Sequence, residues 1–278
     1  MKLTKNFGRI IVIVLILTCL LGASSVLFSF GGGSSGGSSG NVNSNNNTYP
    51  SYGLGPVYDG SAGRISFLGD SITTYAGYSN SDKYNSALTA NTAYYTSSKM
   101  RLEDTWWYQT LQELNMSLCV NNSCDASRVT ETNDKPSGVE RATNLHNGSM
   151  TPSSPHIIII YMGTNDVGNG VDSEVFSESY STMLSTIQKN YMGADVYCCT
   201  LLPESRTFGM LEEFATYNEI IRSSADKYGY KVIDFALELP DWDYTELTFD
   251  DNGLRVHPTA EGMRLMADVT VRAIKGDK

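Results

Sequence analysis

Three side chains that could act together in acyl transfer lie far apart in the sequence. Ser71 follows the apolar run Ile65–Leu68 in "FLGDSIT", Asn165 lies in "MGTND" and His257 lies in "VHPTAEGM". Ester hydrolysis through an acyl-enzyme needs a nucleophile, a base and hydrogen-bond donors for the oxyanion, and these three residue types supply them. Each residue alone also fits a structural role: an N-cap, an Asx turn and a surface loop residue respectively.

His257 is the strongest candidate base among the three histidines of the chain. His156 begins an apolar strand, at the wrong end of it, and His146 lies in the loop-like segment "NLHNGS". His257 is followed by Pro258, which stiffens the backbone, and by a helix start at Thr259. A histidine held between a loop and a terminal helix can reach the edge of a sheet.

Strand-like and helix-like runs alternate along the chain. The predicted strands are Ile65–Leu68, Ser117–Asn121, His156–Met162, Asp195–Leu202 and Lys231–Phe235. The predicted helices are Leu102–Leu114, Ser173–Asn190, Leu211–Tyr228 and Thr259–Lys275. The run "HIIIIYMG" is apolar without alternation, which is typical of a central parallel strand buried on both faces. The pattern predicts a three-layer α/β/α sandwich with a mainly parallel, five-stranded sheet.

Polar residues follow three of the predicted strands. "GDS" follows the first, "NNSCDASRVT" overlaps and follows the end of the second, and "GTND" follows the third. Ligands of such sheets bind beyond the carboxyl ends of the strands. The sequence therefore predicts one site at that edge, built from segments that are distant along the chain.

Four segments resemble the four conserved blocks of the SGNH hydrolases, also called GDSL-type esterases and lipases. They are "FLGDSIT", "VNNSCDASRVT", "IIIIYMGTND" and "VHPTAEGM", and the resemblance covers roughly residues 63 to 275. "DTWWYQTLQEL" is also similar to the closer bacterial relatives. The resemblance implies a flavodoxin-like sandwich and esterase activity. It implies Ser71 as nucleophile, His257 as base, and the Ser71 N–H and Asn165 amide as oxyanion donors.

Two positions depart from that family pattern. Ala126 stands where a glycine is expected to give the third oxyanion donor; its N–H remains, but its methyl is expected to narrow the pocket or alter the backbone angle. Leu254 stands three residues before His257, where the family has the triad acid. Asp250 and Asp251 lie just upstream. Three outcomes are open: Asp251 replaces the acid, a carbonyl replaces it in a Ser-His dyad, or the site is impaired. We favour Asp251.

The N-terminal part of the chain is not expected to belong to this domain. Lys2, Lys5 and Arg9 flank a long uncharged stretch, so residues 1–30 are predicted to be a signal peptide or a membrane anchor. Residues 31–62, rich in glycine, serine and asparagine, are predicted to be a flexible linker to a hydrolase domain at 63–278. The domain is therefore expected outside the cytoplasm, secreted or held at the outer face of the membrane.

Charge and motif content exclude several classes of function. The net charge of −10 becomes −13 if the three basic residues of the leader are removed, which disfavours nucleic acid as a partner. No Cys/His ligand spacing and no G-x-G-x-x-G after the first strand is found, so neither a metal nor a cofactor is expected. Four cysteines lie outside the leader: Cys119, Cys124, Cys198 and Cys199. Buried free thiols are expected at Cys119, Cys198 and Cys199, which lie in apolar, strand-like runs, and a disulfide outside the cell is the alternative.

The sequence thus predicts a serine esterase that hydrolyses small acyl esters outside the cytoplasm, with O-acetyl groups on glycans as one possible substrate. Two other interpretations stay open. One is a glycan-binding module of the same fold whose site has been eroded at Ala126 and Leu254. The other is a lipase or lysophospholipase that faces its own membrane. Acyl chain-length preference separates the three.

Overall fold

The chain is described by a computed structural model that covers residues 63–79, 93–148, 154–203 and 210–276. The predicted leader and linker lie outside the described residues, so both stay predictions. Within the described part of the chain, no helix is both long enough and apolar enough to cross a membrane.

Five strands form one sheet in the order β2-β1-β3-β4-β5, and all four neighbouring pairs are parallel. The strands are β1 (Arg64–Gly69), β2 (Ser117–Ser123), β3 (Ile157–Tyr161), β4 (Asp195–Cys199) and β5 (Lys231–Ile233). This is the flavodoxin-like strand order. The predicted fold class is confirmed, and every residue of the central strand β3 is buried, as its uninterrupted apolar sequence predicts.

Helices cover both faces of the sheet. They are α1 (Trp106–Glu113), α2 (Gly138–Arg141), α3 (Thr164–Gly168), α4 (Ser173–Asn190), α5 (Leu211–Tyr228), α6 (Phe235–Glu238), α7 (Tyr244–Leu247) and α8 (Ala260–Lys275), with 3-10 turns at Ser71–Thr73 and Leu102–Asp104. The helices α4 and α5 have the predicted bounds. Helix α8 starts one residue later than predicted because Thr259 is its N-cap. The four-residue and five-residue helices were not predicted.

Two apolar cores lie on opposite faces of the sheet, because successive strand residues point to opposite sides. On one face Ile159 belongs to a core that includes Trp106 of α1 and Met263 of α8. On the other face Ile160 belongs to a core that includes Leu184 of α4. All five side chains are fully buried, and each such burial contributes about 1.5–3 kcal/mol to folding. The sheet is thus a rigid support for the loops at its edge.

Two glycines let the chain leave β1 and β3 in tight turns. A Cβ on Gly69 would lie 2.5 Å from the side chain of Thr73, so no larger residue fits there. Gly163 has φ of 131°, in the region that favours glycine. These turns bring Ser71 and Asn165 out at the same edge of the sheet, directly after neighbouring strands.

Candidate active site

Ser71 lies in a single 3-10 turn immediately after β1. Asp70 is the N-cap of this turn, since its Oδ1 accepts a hydrogen bond from the Ile72 N–H at 3.0 Å. The alternative role of Ser71 as a plain N-cap is therefore wrong. Only three residues, Ser71–Thr73, are helical here. The Ser71 side chain is left for another partner.

A hydrogen-bond chain joins Ser71, His257 and Asp251. Nε2 of His257 lies 3.0 Å from Oγ of Ser71, and Nδ1 lies 2.9 Å from Oδ2 of Asp251. A carboxylate that accepts the Nδ1 proton leaves Nε2 free to accept the proton of the serine hydroxyl. These groups and distances suit general-base activation of Ser71. The structure therefore brings together the three residues that the sequence predicts as nucleophile, base and acid.

Asp251 reaches His257 because the chain doubles back at Asn252 and Gly253. Their φ angles are 59° and 89°, and two consecutive left-handed residues are what a type I′ turn requires and Asn-Gly supplies. The turn closes an antiparallel bridge in which the Asp251 N–H donates to the Leu254 carbonyl at 2.9 Å. Asp251 therefore lies beside Leu254, the position at which the family pattern places the acid.

The neighbouring carboxylate, Asp250, stabilises the turn. Its Oδ1 accepts from the Gly253 N–H at 2.6 Å, and its Oδ2 accepts from Nη2 of Arg255 at 2.9 Å. The Arg255 guanidinium also donates to the Thr248 carbonyl on the other side of the hairpin. Within the described residues Asp250 makes no hydrogen bond with His257. The two adjacent aspartates thus have different partners.

Ala126 keeps a backbone conformation that glycine favours. Its φ is 55°, and this left-handed conformation costs an alanine about 1–2 kcal/mol. The N–H groups of Ala126 and Ser71 have no hydrogen-bond partner among the described residues. Both are available to an oxyanion.

The "GTND" segment holds the loop that carries Ala126. Nδ2 of Asn165 donates to the Ser127 carbonyl at 2.9 Å, which leaves the second amide hydrogen for another acceptor. The carboxylate of Asp166 accepts from the Val129 N–H at 2.8 Å, further along the same loop. The predicted donor Asn165 is therefore bonded to the residue next to Ala126.

Arg141 connects the segments that carry Ser71 and Ala126, and it was not predicted from the sequence. The residue is fully buried. Its guanidinium donates to the Gly69 carbonyl at 3.0 Å, to Oγ of Ser127 at 2.8 Å and to the Asn122 carbonyl. Hydrogen bonds from a charged donor contribute about 1.5–3 kcal/mol each. Arg141 thus ties the ends of β1 and β2 to the loop of Ala126, and no sequence motif marks it.

Tyr94 and Lys99 surround the acid and were also missed. The ring of Tyr94 stacks on the His257 imidazole, with centroids 3.4 Å apart and planes at 15°. The Tyr94 hydroxyl donates to Oδ2 of Asp251 at 2.5 Å, and Nζ of Lys99 lies 3.5 Å from Oδ1. Their segment, "AYYTSSK", belongs to none of the four family-like blocks, so no signal pointed to them.

The local electrostatics keep Asp251 ionised. Burial alone would raise the pKa of this carboxyl, but hydrogen bonds from His257 and Tyr94 and the charges of His257 and Lys99 outweigh it and lower the pKa to about 2. Burial, followed by the hydrogen bond to Asp251, raises the pKa of Tyr94 above its usual range. At neutral pH the pair is therefore a carboxylate with a protonated tyrosine donor.

Asp70 has the opposite environment. Its carboxyl is fully buried, and burial raises its pKa to about 7 although the Ile72 N–H and the charge of Arg141 oppose the rise. Oδ1 accepts from Ile72, whereas Oδ2 has no hydrogen-bond partner in the described part of the chain. Two carboxyl groups near the same serine thus differ strongly in acidity.

A small cavity of about 10 Å³ is lined by residues adjacent in sequence to Ser71, Asn165 and His257. This is room for about one water-sized group. Ile72, Thr164 and Val256, which line it, are the sequence neighbours of Ser71, Asn165 and His257. The other described residues of its wall are Tyr161, Leu202, Phe214 and Tyr244.

The remaining predicted features lie elsewhere. Nδ1 of His156 accepts from the Arg64 N–H at 3.1 Å, and Nδ1 of His146 lies 3.3 Å from the Tyr191 hydroxyl, so neither histidine joins the hydrogen-bond chain. No cluster of three or more His, Cys, Asp or Glu residues suited to a metal occurs among the described residues. The buried free thiols expected at Cys119, Cys198 and Cys199 are confirmed, and Cys124 is also a buried free cysteine.

The sequence matches the model of the GDSL-like lipase/acylhydrolase family over residues 67–265. No curated protein matches the sequence. Several solved structures share the fold. One, assigned as a GDSL-like lipase from Bacteroides ovatus ATCC 8483, is 22% identical with a TM-score of 0.57, and the match covers 77% of this chain and 98% of that one.

Two similar structures are named as carbohydrate esterases. An acetyl xylan esterase, AlAXEase, is 19% identical with a TM-score of 0.50, and the match covers 76% of this chain and 99% of that one. An active-site mutant of a family two carbohydrate esterase from Clostridium thermocellum, in complex with cellohexaose, is 22% identical with a TM-score of 0.55. That match covers 77% of this chain and 63% of the other. At these identities the likeness establishes the fold.

Proposed function

The chain belongs to the GDSL-like lipase/acylhydrolase family and is a hydrolase of ester bonds, and from this premise we propose that it cleaves small acyl esters through an acyl-enzyme on Ser71. The observation that carries the proposal is the hydrogen-bond chain from Ser71 through His257 to Asp251, with links of 3.0 and 2.9 Å. Such a chain turns a weakly nucleophilic hydroxyl into an effective one.

In acylation, Oγ of Ser71 attacks the ester carbonyl carbon while Nε2 of His257 takes the hydroxyl proton. The carboxylate of Asp251 stabilises the imidazolium that forms. The negative charge on the former carbonyl oxygen is met by the N–H groups of Ser71 and Ala126 and the free amide hydrogen of Asn165. The imidazolium then protonates the departing alkoxide, which leaves as an alcohol, and the acyl group stays on Ser71.

In deacylation a water molecule takes the place of the alcohol. Nε2 of His257 removes one proton from the water, and the resulting hydroxyl attacks the acyl carbonyl. The same three donors stabilise the second oxyanion, since its oxygen lies where the first one lay. The imidazolium returns the proton to Oγ of Ser71, and a carboxylic acid is released. The net reaction consumes one water for each ester bond broken.

The small cavity supports a short acyl group. Because it has room for about one water-sized group, it suits the methyl of an acetyl ester, and a longer alkyl chain that entered it would press on its wall. Part of that wall, Leu202, is 4% exposed and belongs to a buried core, so it cannot move without loss of packing. We therefore favour acetyl over butyryl and longer esters.

A glycan is the alcohol component that we favour. Two proteins of the same fold are named as an acetyl xylan esterase and a carbohydrate esterase, and this substrate class agrees with the short acyl group. The negative net charge of −10 disfavours anionic polymers and anionic lipid surfaces. An acylated glycan is thus favoured over a phospholipid. Placement outside the cytoplasm belongs to the same proposal and rests on the sequence of residues 1–62.

Chain-length dependence tests the proposal. We expect kcat/KM to fall about tenfold from p-nitrophenyl acetate to butyrate, because two additional methylenes overpack the cavity at a cost of about 1–3 kcal/mol. Ser71→Ala should lose essentially all turnover and retain the fold, checked by circular dichroism. Equal rates of Ser71→Ala and wild type would exclude Ser71 as the nucleophile. A preference for octanoate would favour the lipase interpretation, and absence of Ser71-dependent turnover at any length would favour the glycan-binding module.

Leu201 and Leu202 form a matched pair that tests whether the cavity determines the acyl chain-length preference. Both side chains are buried, but Leu202 lines the cavity and Leu201 packs on the other face of the sheet. Leu202→Ala should raise the ratio of butyrate to acetate turnover, because it enlarges the wall. Leu201→Ala should lower stability without changing that ratio. Equal ratios in both variants would remove the cavity from the acyl site.

A further inference from the structure

We propose that Tyr94 and Lys99 are positioning residues that hold the acid and the base of the site in one geometry, a role that rests on the proposed function of Ser71, His257 and Asp251. The acid of this chain lies six residues before its histidine, next to the tip of a hairpin, and 29% of its side-chain surface is exposed. A carboxylate in such a place needs contacts from outside the hairpin to fix its rotamer.

Tyr94 contacts both members of the His-Asp pair. Its ring covers one face of the His257 imidazole at a centroid distance of 3.4 Å, and its hydroxyl donates to Oδ2 of Asp251. The same Oδ2 accepts the Nδ1 proton of His257. One carboxylate oxygen thus has two donors, and both donors are held against each other by the stacked rings.

The backbone of Tyr94 is fixed to the turn of the nucleophile. Its N–H donates to Oγ1 of Thr74 at 2.9 Å, and Oγ1 of Thr74 donates to the Ser71 carbonyl at 2.8 Å. Tyr94 is therefore linked to Ser71 through one side chain, to His257 through its ring and to Asp251 through its hydroxyl. Tyr94 thus fixes the positions of three groups relative to one another, although one comes from the turn after β1 and two from the C-terminal hairpin.

Lys99 completes the arrangement on the other side of the Tyr94 ring. Its Nζ lies 3.4 Å from the centroid of that ring. The imidazole of His257 already occupies one face at the same distance, so the ammonium must lie on the opposite face. Nζ also lies 3.5 Å from Oδ1 of Asp251. Both oxygens of the carboxylate are therefore engaged, and the cation adds attraction to the π face of the tyrosine.

The charged and titratable groups that face the pair come from several segments. Tyr94 and Lys99 come from the segment before α1 and Ser71 from the turn after β1, while Tyr95 packs with its edge towards His257 and donates to the Pro258 carbonyl. The more distant groups are Asp70 and Asp125, whose charges act on the two tyrosines. Of all these groups, only Tyr94 and Lys99 bond to Asp251 besides His257 within the described residues.

The first test is a double-mutant cycle on p-nitrophenyl acetate. Tyr94→Phe keeps the stacked ring and removes the hydroxyl, and kcat should fall about 10–100-fold with little change in KM, because a hydrogen bond to a charged group is lost. In the Asp251→Asn background the same change should cost less than about threefold, since Tyr94 acts through that carboxylate. Equal losses in both backgrounds would overturn the proposal.

The second test is the pH profile of kcat/KM. In Tyr94→Phe, Oδ2 of Asp251 accepts a hydrogen bond from His257 but no longer from a tyrosine, so the carboxylate stabilises the imidazolium more strongly. The acidic limb of the profile should therefore move to higher pH by about 0.5–1 unit. Lys99→Met should move it in the same direction, because a positive charge near the imidazolium is removed, with only a few-fold loss of kcat for a half-exposed ion pair. A merely structural role would lower activity and leave the limb in place, which would contradict the proposal.

Tyr75→Phe is the matched control. The Tyr75 hydroxyl donates to the Met100 carbonyl, and among the described residues it makes no hydrogen bond to Ser71, Asp251 or His257, so its loss should change neither kcat nor the acidic limb. Ser71→Ala distinguishes failure of the positioning role from failure of the proposed function. If Ser71→Ala is inactive and the Tyr94 cycle is additive, only the positioning role fails. If Ser71→Ala is active, the proposed function itself fails.

Discussion

The two halves of the site are built differently. At the edge of the sheet, Ser71 and Asn165 follow neighbouring buried strands. Arg141 donates to the Gly69 carbonyl and to Oγ of Ser127, and the Ser127 carbonyl accepts from Asn165. The hairpin that carries Asp251 and His257 lies outside the sheet and depends on one β-turn and on side chains from another segment. At the sheet edge the departure from the family pattern is Ala126, which keeps its N–H donor, whereas in the hairpin the triad acid itself is displaced. A residue that directly follows a buried strand has a position fixed by that strand. In a hairpin, by contrast, a carboxylate at more than one sequence position can reach the same histidine.

The largest expected effect is on the hairpin side. Asp251→Asn should lower kcat by about 10³–10⁴-fold, because an amide in place of the carboxylate favours the wrong tautomer of His257 and does not stabilise the imidazolium. Steady-state kinetics on p-nitrophenyl acetate measures it.

Asp250→Asn is the control for that variant. Its oxygen can still accept from the Gly253 N–H, and it has no bond to His257, so kcat should change less than about threefold while the weakened Arg255 pair costs at most about 1 kcal/mol of stability. If Asp250→Asn is the damaging change, the acid is misassigned by one residue. If neither variant matters, the site is a Ser-His dyad.

At the edge of the sheet, Asn165→Ala should lower kcat by about 10²–10³-fold with a smaller change in KM, as expected for loss of one preorganised oxyanion donor. The variant also removes the bond to the Ser127 carbonyl, so the melting temperature must be measured with the kinetics. Lower stability with near-normal kcat in the folded fraction would reassign Asn165 to the architecture of the loop.

The turn of the hairpin gives a smaller effect. Gly253→Ala forces a Cβ onto a residue with φ of 89°, while its surroundings offer no steric contact, so the cost is purely one of backbone conformation. We expect the melting temperature to fall by about 2–6 °C and kcat to fall several-fold as Asp251 shifts. Gly193→Ala is the control, because it is equally open and has no positive φ. Equal responses of the two variants would contradict the turn assignment.

The smallest effect is expected at Ala126. Ala126→Gly removes the cost of the left-handed conformation but increases the conformational entropy of the unfolded chain. Each contribution to the free energy of unfolding is about 1 kcal/mol, and the two nearly cancel. The N–H donor remains, so kcat should stay within about twofold. Ala215→Gly, at an exposed position of α5, should instead lose about 1 kcal/mol. Urea unfolding of both variants measures the difference, and equal losses would show that Ala126 carries no strain.

Sequence reasoning succeeded where one physical rule dominates. Uninterrupted apolar runs predicted β1 and β3, and the topology of parallel strands then placed Ser71 and Asn165 at one edge. The long amphipathic helices α4 and α5 were predicted with correct bounds. Short helices such as α2 and α7 were missed, because four residues make about one helical turn and cannot show a repeating hydrophobic pattern.

Other parts of the site could not be read from the sequence, for physical reasons. Tyr94, Lys99 and Arg141 act through contacts across many intervening residues, and a tyrosine or arginine alone predicts no particular partner. The placement of Asp251 was a choice among alternatives, because spacing along the chain cannot show that Asn252 and Gly253 fold it back beside Leu254. Once the turn is known, Asn-Gly is its obvious signal.

The buried carboxyl of Asp70 makes the stability of the domain depend on proton binding. Its pKa is about 7 in the folded protein against an ordinary 3.8, so the folded chain retains a proton that the unfolded chain releases above about pH 4. This contribution to the free energy of unfolding is complete below pH 4 and is lost as pH rises to 7, on the order of 4 kcal/mol. Asp251, with its pKa lowered to about 2, contributes above pH 4 and loses its contribution as pH falls to 2.

Urea unfolding between pH 4.5 and 7.5 should therefore show stability falling with pH in the wild type and a flatter dependence in Asp70→Asn, which keeps the Oδ1 acceptor for Ile72. Parallel slopes would mean that Asp70 is ionised throughout. The proton thus acts as a ligand of the folded chain, bound one residue from Ser71, and mildly acidic surroundings favour the fold through it.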